Sequence, residues 1–405
     1  MTHRYNESQH LPRRTLLQLG ATGALGVLLV GPKSLSYAAQ PAAETVLRDG
    51  KQLEVLSADP LNAQPDLAAL LENYITPIKH FYVRSHAPAP EIDADKFQLS
   101  IEGLVERPMN LGLAELRDSF KPQTVTATMT CAGNRRNEHS RTKLIDGVPW
   151  GSGAIGNARW GGFRLAELLK KAGVREGAKH VWFEGTDQIE RSSGVIPFGA
   201  SIPLDKAMAT AGQPPVLVAD QMNGEALPVD HGYPLRTVVP GYIGARSVKW
   251  LGRIVVSDRP SENHYVSHAY KLVAEGTEAE WSSAQPLMEF PINSVICQPK
   301  GGARVKPGKL TVRGYALPSG GKNKIGSVEL SSDGGKTWTP AKITTRNAPF
   351  CWVLWRADVP VTAKTTSLLV RAGDTSGVVQ PEKVGWNLKG YMYNAWDKVN
   401  LDVDG

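Results

Sequence analysis

Met129-Thr130-Cys131-Ala132-Gly133-Asn134-Arg135-Arg136 is the stretch on which the reading of this chain turns. A thiol beside a flexible Ala-Gly step and two guanidinium groups is one whose anion is electrostatically favoured. A thiolate binds a soft metal or attacks an electrophile. The guanidinium fork also matches the paired oxygens of a small oxyanion. A buried structural cysteine followed by two surface arginines would produce the same eight letters. The octapeptide alone leaves both readings open, and the rest of the chain separates them.

The 405 residues are enough for about two domains. An apolar fraction of 41% can fill real cores and argues against disorder. Forty glycines and 28 prolines point to strands and loops rather than a helical bundle. Much of the formal +7 charge lies at the N-terminus, where Arg4, Arg13, Arg14 and Lys33 face only Glu7. The remainder is mildly basic with no Lys/Arg run, so nucleic acid is not an implied partner.

Pro12-Arg13-Arg14-Thr15-Leu16-Leu17 precedes an apolar stretch to Val30, and Ser36-Tyr37-Ala38-Ala39 offers a small-residue cleavage region. The stretch is short and glycine-broken for a membrane span. Its paired arginines resemble a twin-arginine export signal over residues 1–39, a route for proteins already folded around a cofactor. The expectation is a periplasmic mature protein with no membrane span; a retained anchor is the alternative.

Only Cys131, Cys297 and Cys351 are present, an odd and sparse set that is no disulfide framework. No C-x-x-C exists, which argues against covalent c-type haem and a four-cysteine cluster. Whatever Cys131 binds must bring most of its own ligands.

Residues 40–65 read as a polar wrapping arm, and Pro65-Asp66 opens a short helix with Leu67, Leu70 and Leu71 on one face. Leu165, Leu168, Leu169 and Ala172 give a helical period over 163–172, stopped by Gly173. Runs at 97–101, 180–183 and 215–219 are β-like. Residues 40–285 therefore read as one mixed α+β domain. From 286 to 405 strand-like runs recur at 310–315, 325–330, 351–355 and 367–372, and Ser331-Ser332-Asp333-Gly334-Gly335 signals a hairpin. That spacing predicts an immunoglobulin-like β-sandwich. Gly151-Ser152-Gly153-Ala154-Ile155-Gly156 matches G-x-G-x-x-G, but follows no buried strand and opens no helix. It reads as a glycine-rich loop, so NAD is not expected.

Three further clusters pair cations with flexible or extended backbone. Phe81-Tyr82-Val83-Arg84-Ser85-His86-Ala87-Pro88 sets Arg84 two residues from His86. Asp230-His231-Gly232-Tyr233-Pro234-Leu235-Arg236 repeats the pairing, and residues 240–250 add glycines with Arg246 and Lys249. Singly each reads as a solvated loop. Together, without zinc-type ligand spacing, they describe a protein that encloses something phosphorylated and anionic.

From about residue 70 to its end the chain resembles the sulfite oxidase family of molybdenum enzymes. The resemblance rests on residues 81–88, 126–136, Trp150 followed by Ala158-Arg159-Trp160, and Gly199-Ala200-Ser201-Ile202-Pro203. It continues in order through residues 230–236, 240–250 and Trp386-Asn387-Leu388-Lys389-Gly390. Haem-free bacterial periplasmic sulfite dehydrogenases are the closest in pattern, since no cytochrome b5, c-type haem or flavin segment is present.

The resemblance implies a fold of molybdopterin domain plus β-sandwich, the latter pairing two copies of the chain. It implies Cys131 as the protein's thiolate on molybdenum, with one molybdopterin supplying two more sulfurs. Arg84, Arg136, Trp150, Tyr270 and Lys389 would line the substrate pocket. Tyr270 is placed by His268-Ala269-Tyr270-Lys271. Tyr82, Arg84, His86, Asp187, His231, Arg236, Ser247, Val248 and Lys249 would hold the pterin and its phosphate. Lys389 stands where many members carry arginine, which keeps the charge but loses the planar fork. The implied reaction oxidises sulfite to sulfate and passes electrons singly to an external c-type cytochrome. Sulfite is a small anion with a nucleophilic sulfur lone pair, so positioning and charge complementarity fall to the protein and redox to the cofactor. Alternatives are a related enzyme acting on nitrate or a sulfane group, or a non-enzymatic periplasmic binding protein.

Overall fold

The computed structural model describes residues 45–46, 50, 52–209 and 214–404, within a compact unit of residues 43–405. The expected signal, residues 1–39, lies outside the described residues.

Two five-stranded systems carry the N-terminal part. One runs in spatial order Gly199–Pro203, His180–Gly185, Leu251–Ser257, Leu99–Gly103 and Met109–Leu111, with a single parallel pair between Leu251–Ser257 and Leu99–Gly103. The other pairs Pro122–Thr130 with Ile155–Arg164 and that strand with Leu217–Met222, on which Arg236–Val238 and Glu225–Ala226 also pair. The expected helix forms as Leu165–Ala172. It buries Leu165, Leu168, Leu169 and Ala172 against Leu99, Ile101, Val181, Phe183 and Ile254 of the first sheet. Truncating one such leucine would cost about 2–5 kcal/mol. Gly173 ends the helix at φ +75, its N–H donating to Leu169 O at 3.0 Å. The helix expected from Pro65 is shorter than its leucines suggest. Only the 3-10 turn Ala69–Leu71 forms, because Leu70 and Leu71 are drawn into a tertiary core instead of extending a helical face.

The C-terminal part has two sheets. One orders Asn293–Gln298, Gly308–Leu317, Val353–Val361 and Lys342–Ile343. The other orders Ala303–Val305, Asp397–Val403, Ser367–Asp374, Ile325–Ser331 and Thr339–Pro340. Their buried faces share a core of Ile296, Val312, Val328, Leu330, Val353, Trp355, Leu368 and Val370. The hairpin signal joins Ile325–Ser331 to Thr339–Pro340. There Asp333 accepts from the N–H of Lys336 and Thr337 and from the Thr337 hydroxyl.

The seam between the two parts is apolar, with Ala132, Tyr265 and Tyr270 packed in one cluster with Val295, Cys297, Tyr315 and Trp352. Hydrogen bonds cross it as well, Thr128 N–H to Phe350 O at 2.8 Å and Tyr315 Oη to Ser152 O at 2.9 Å. The segment around Cys131 is therefore held from both sides. Gly151–Gly156 leads into the strand Ile155–Arg164 and not into a helix, unlike a dinucleotide-binding turn.

Candidate active site

The strand Pro122–Thr130 delivers Cys131, whose N–H donates to Ala154 O at 2.9 Å across the sheet. A tight turn follows: Asn134 N–H donates to Cys131 O at 3.0 Å, and the Gly133 N–H lies 3.4 Å from Cys131 Sγ. The thiol is buried but faces a cavity of about 670 Å³, open mouth included. Tyr82, Arg84, His86, Asp187, His231, Arg236, Ser247, Lys249 and Tyr270 line the same cavity. Nine other expected site residues, taken from segments far apart in sequence, thus converge on the cavity that Cys131 faces.

The wall is cationic and mostly held by backbone oxygens. Arg236 donates to His231 O at 2.8 Å and Ser247 O at 3.2 Å, and lies 4.9 Å over the Trp160 ring. Burial pushes its guanidinium down to about 10, which still leaves it charged at neutral pH. Lys249 Nζ donates to Ser85 Oγ at 2.7 Å and Asp230 O at 3.0 Å. Arg84 donates to Asn62 Oδ1 at 3.1 Å and to its neighbour's carbonyl, Ser85 O. Asp187 accepts from Phe198 N–H at 3.0 Å, and burial holds its carboxyl above the usual range. A wall of this kind suits a bound anion.

Beside the sulfur, Tyr270 Oη shares a 3.1 Å hydrogen bond with His86 Nε2. Burial raises the Tyr270 phenol well above its ordinary value, with Arg84 opposing. Burial, then Arg84 and Lys249, drives His86 well below its own. The pair is therefore neutral at pH 7 and can hold or relay a proton. Tyr270 takes a left-handed φ of +53, a conformation costing a non-glycine residue about 1–3 kcal/mol.

Arg136 and Trp150 are not among the residues lining this cavity and form a smaller donor site at Gly133, two residues from Cys131. Arg136 Nε donates to Lys389 O and Nη1 to Val148 O, both at 2.9 Å. Among the described residues Nη2 makes no hydrogen bond, and the buried Trp150 Nε1 has no partner. Arg136 Nη2 and the edge of the Trp150 ring meet at Gly133. A Cβ there would stand 2.8 Å from Arg136 Nη2 and 3.2 Å from Trp150 Cδ1. A guanidinium nitrogen with no acceptor, next to a ring whose N–H has none, suits a small oxyanion.

Three expectations change. Val248 does not face the cavity. Its side chain is fully buried in the sheet core and its N–H and C=O both bond Thr237, so only its neighbours Ser247 and Lys249 reach the site. Lys389 is exposed, and it is the carbonyl that meets Arg136. Arg135 points away from the sulfur. It is wholly buried against Glu138 (2.6 Å), Asn293 Oδ1 (2.7 Å), Ala395 O (2.8 Å) and Asp397 (3.5 Å).

Sequence reading gave no individual site role to two groups, one of them counted only among the cations of 240–250. Arg246, within the glycine-rich stretch 240–250, is buried 5.9 Å from the Tyr270 ring centroid. It donates to Leu287 O and Tyr265 O, and burial lowers it to about 10. Tyr391 stacks on Tyr270; its only signal was adjacency to Trp386-Asn387-Leu388-Lys389-Gly390.

Among the described residues no group of three or more His, Cys, Asp or Glu side chains could hold a metal. The lone thiol, cationic wall and partnerless indole fit a cofactor that brings its own metal donors and an anionic group. Residues 86–265 match the model of an oxidoreductase molybdopterin binding domain, and residues 284–404 that of a Mo-co oxidoreductase dimerisation domain. Sulfite oxidase of Gallus gallus is 42% identical over 359 residues, covering 85% of this chain and 77% of its own. That of Arabidopsis thaliana is 39% identical over 373 residues, covering 86% and 93%. The crystal structure of sulfane dehydrogenase SoxCD from Paracoccus pantotrophus superposes with a TM-score of 0.72 at 28% identity, over 93% of this chain and 96% of that one. With the sulfur, its cationic wall and both modules in place, the chain belongs to the sulfite oxidase family of molybdenum oxidoreductases.

Proposed function

We propose that this protein is a sulfite dehydrogenase that oxidises sulfite to sulfate and hands the electrons one at a time to an external c-type cytochrome. The observation that carries the reading is the meeting of Arg136 Nη2 and the Trp150 ring, whose Nε1 has no partner, at Gly133, two residues from Cys131. Cys131 Sγ would bind molybdenum, while Tyr82, His86, Asp187, His231, Arg236, Ser247 and Lys249 hold the pterin and its phosphate. When bound, the molybdenum cofactor supplies the two-electron redox chemistry. The chain's own residues do the rest. Arg84, Arg136 and Trp150 hold the oxyanion, so its sulfur lone pair is free to react. Sulfite and water become sulfate with loss of two protons and two electrons, and the Tyr270–His86 pair takes up and passes on a proton at Tyr270 Oη. The Lys389 ammonium adds charge at the rim.

The immunoglobulin-like reading of the two C-terminal sheets, a homodimer formed through residues 284–404, and export to the periplasm by the N-terminal arginine pair complete the proposal. The likeness to a sulfane dehydrogenase favours sulfane oxidation as the second reading.

Purified holoenzyme should contain about one molybdenum per chain, as a single thiolate site implies. It should turn over sulfite with ferricyanide or a c-type cytochrome but not with NAD, at a rate that depends on ionic strength. Turnover confined to a sulfane conjugate or to nitrate would reject the sulfite reading; absence of molybdenum would reject the enzyme. Arg84→Gln should raise KM for sulfite roughly tenfold or more and change kcat less, since a charge-assisted contact is worth about 1.5–3 kcal/mol. An unchanged KM across pH would assign Arg84 to the pterin or the fold.

A further inference from the structure

One aromatic ring touches two of the side chains assigned to the substrate. Tyr391 stacks on Tyr270 with centroids 5.1 Å apart and planes 17° from parallel, and Arg136 Cζ lies 5.3 Å from the Tyr391 centroid. Arg136 has little freedom of its own. Two of its nitrogens are spent on carbonyls, and its guanidinium fits against Gly133 and Gly147, where a Cβ would come within 2.8 Å of Nη2 and 3.2 Å of Nη1. Tyr391 is equally fixed. Its N–H donates to Asn387 Oδ1 and Asn387 Nδ2 donates to its carbonyl, both at 2.9 Å, with Asn387 itself buried. Left-handed φ angles at Gly390 (+59) and Met392 (+61) flank it and set the direction of the ring.

We propose that Tyr391 is the positioning and specificity residue of the oxyanion pocket. Its ring sets the separation of Arg136 from Tyr270 and closes the pocket to anything bulkier than a bare sulfur oxyanion. The inference rests on the sulfite reading above. A carboxylate in this place would neutralise Arg136, whereas the π face of a neutral phenol steadies the guanidinium and leaves its charge for the substrate. Burial keeps the Tyr391 phenol in its neutral form. An alkanesulfinate differs from sulfite in carrying a carbon group in place of one oxygen, and that group is what the ring excludes. Its oxidation balances like that of sulfite. The sulfur gains one oxygen from water, two protons are released, and two electrons reduce two ferricyanide ions.

The test compares wild-type holoenzyme with Tyr391→Ala and Tyr391→Phe, using sulfite and methanesulfinate with ferricyanide. Calorimetric titration with sulfate, which is redox-inert here, reads binding without turnover. In Tyr391→Ala the KM for sulfite should rise about tenfold with kcat falling less than about threefold, and sulfate should bind correspondingly more weakly. The ratio of kcat/KM for methanesulfinate to that for sulfite should rise at least about tenfold. Tyr391→Phe, which keeps the ring, should rescue the sulfite KM to within about threefold of wild type. Tyr391→Leu reads the same ratio if the alanine variant does not fold. An unchanged ratio, or a phenylalanine variant as impaired as the alanine one, would overturn the inference alone. Failure of the wild-type protein to oxidise sulfite would overturn the functional reading and this inference with it.

Discussion

Cys131→Ser should fold, keep its pterin cradle, and lose turnover by roughly a hundredfold or more. Changing only a group that orients a metal ligand typically costs about 10–100-fold, so replacing the ligand itself should cost at least the upper end. Serine fits the space, because the Cys131 side chain receives only the Gly133 N–H at 3.4 Å and the turn is held by backbone bonds to Ala154 O and from Asn134. What changes is the donor. A hydroxyl is harder and less covalent than a thiolate and suits a soft-sulfur metal site poorly. The discriminating measurement pairs steady-state activity with thermal unfolding and pterin content. Activity within a few-fold of wild type, with the fold intact, would remove Cys131 from the metal.

Arg135→Gln should destabilise the protein by about 3–5 kcal/mol, the usual cost of removing one partner from a buried ion pair. Arg135 is 0% exposed and bonds Glu138 in two places, through Nε at 2.6 Å and Nη2 at 3.0 Å, with Asp397 at 3.5 Å. Burial by itself disfavours its charge, but Glu138 and Asp397 outweigh that and hold it above its ordinary value. Without the guanidinium, Glu138 and Asp397 remain as buried carboxylates facing each other's charge. The Tyr393 ring, 4.9 Å from Arg135 Cζ, loses its cation as well. Urea unfolding of the variant beside Arg135→Lys, which keeps a charge but not the fork, reads the effect. A Gln variant as stable as wild type would mean that this network carries no net stability. Residual kcat/KM of the folded fraction should be close to wild type, since Arg135 faces the C-terminal sheets rather than the sulfur.

Adjacent arginines with opposite destinations mark how far the eight-residue stretch could be read. The thiol, the flexible Ala-Gly step and the presence of cations are properties of residue type, and they pointed correctly to the cavity around Cys131. Which arginine turns toward it is not a property of residue type. It depends on the left-handed φ of +66 at Arg135 and on partners 158 and 262 positions away, Asn293 and Asp397. Lys389 and Val248 make the same point. Each sits in a stretch that forms the site, but at Lys389 it is the carbonyl and at Val248 only the neighbouring residues that reach it.

Elements with a local signature are legible in the residues themselves: the leucine period and glycine stop of Leu165–Ala172, the Asp333 hairpin, and the strand runs that become the C-terminal sheets. The family is legible too, because residue types recurring in a fixed order survive translation into letters. The convergence of Arg136 and Trp150 on Gly133, the stacking of Tyr391 on Tyr270, and the burial of Arg246 behind that ring are not. These are consequences of an apolar seam that brings residues 387–391 against residues 133–136 and 270. A single sequence records which side chains are available. Only packing decides which of them share a few ångströms of space, because that is set by the free energy of burying distant surfaces together and not by any preference of the residues themselves.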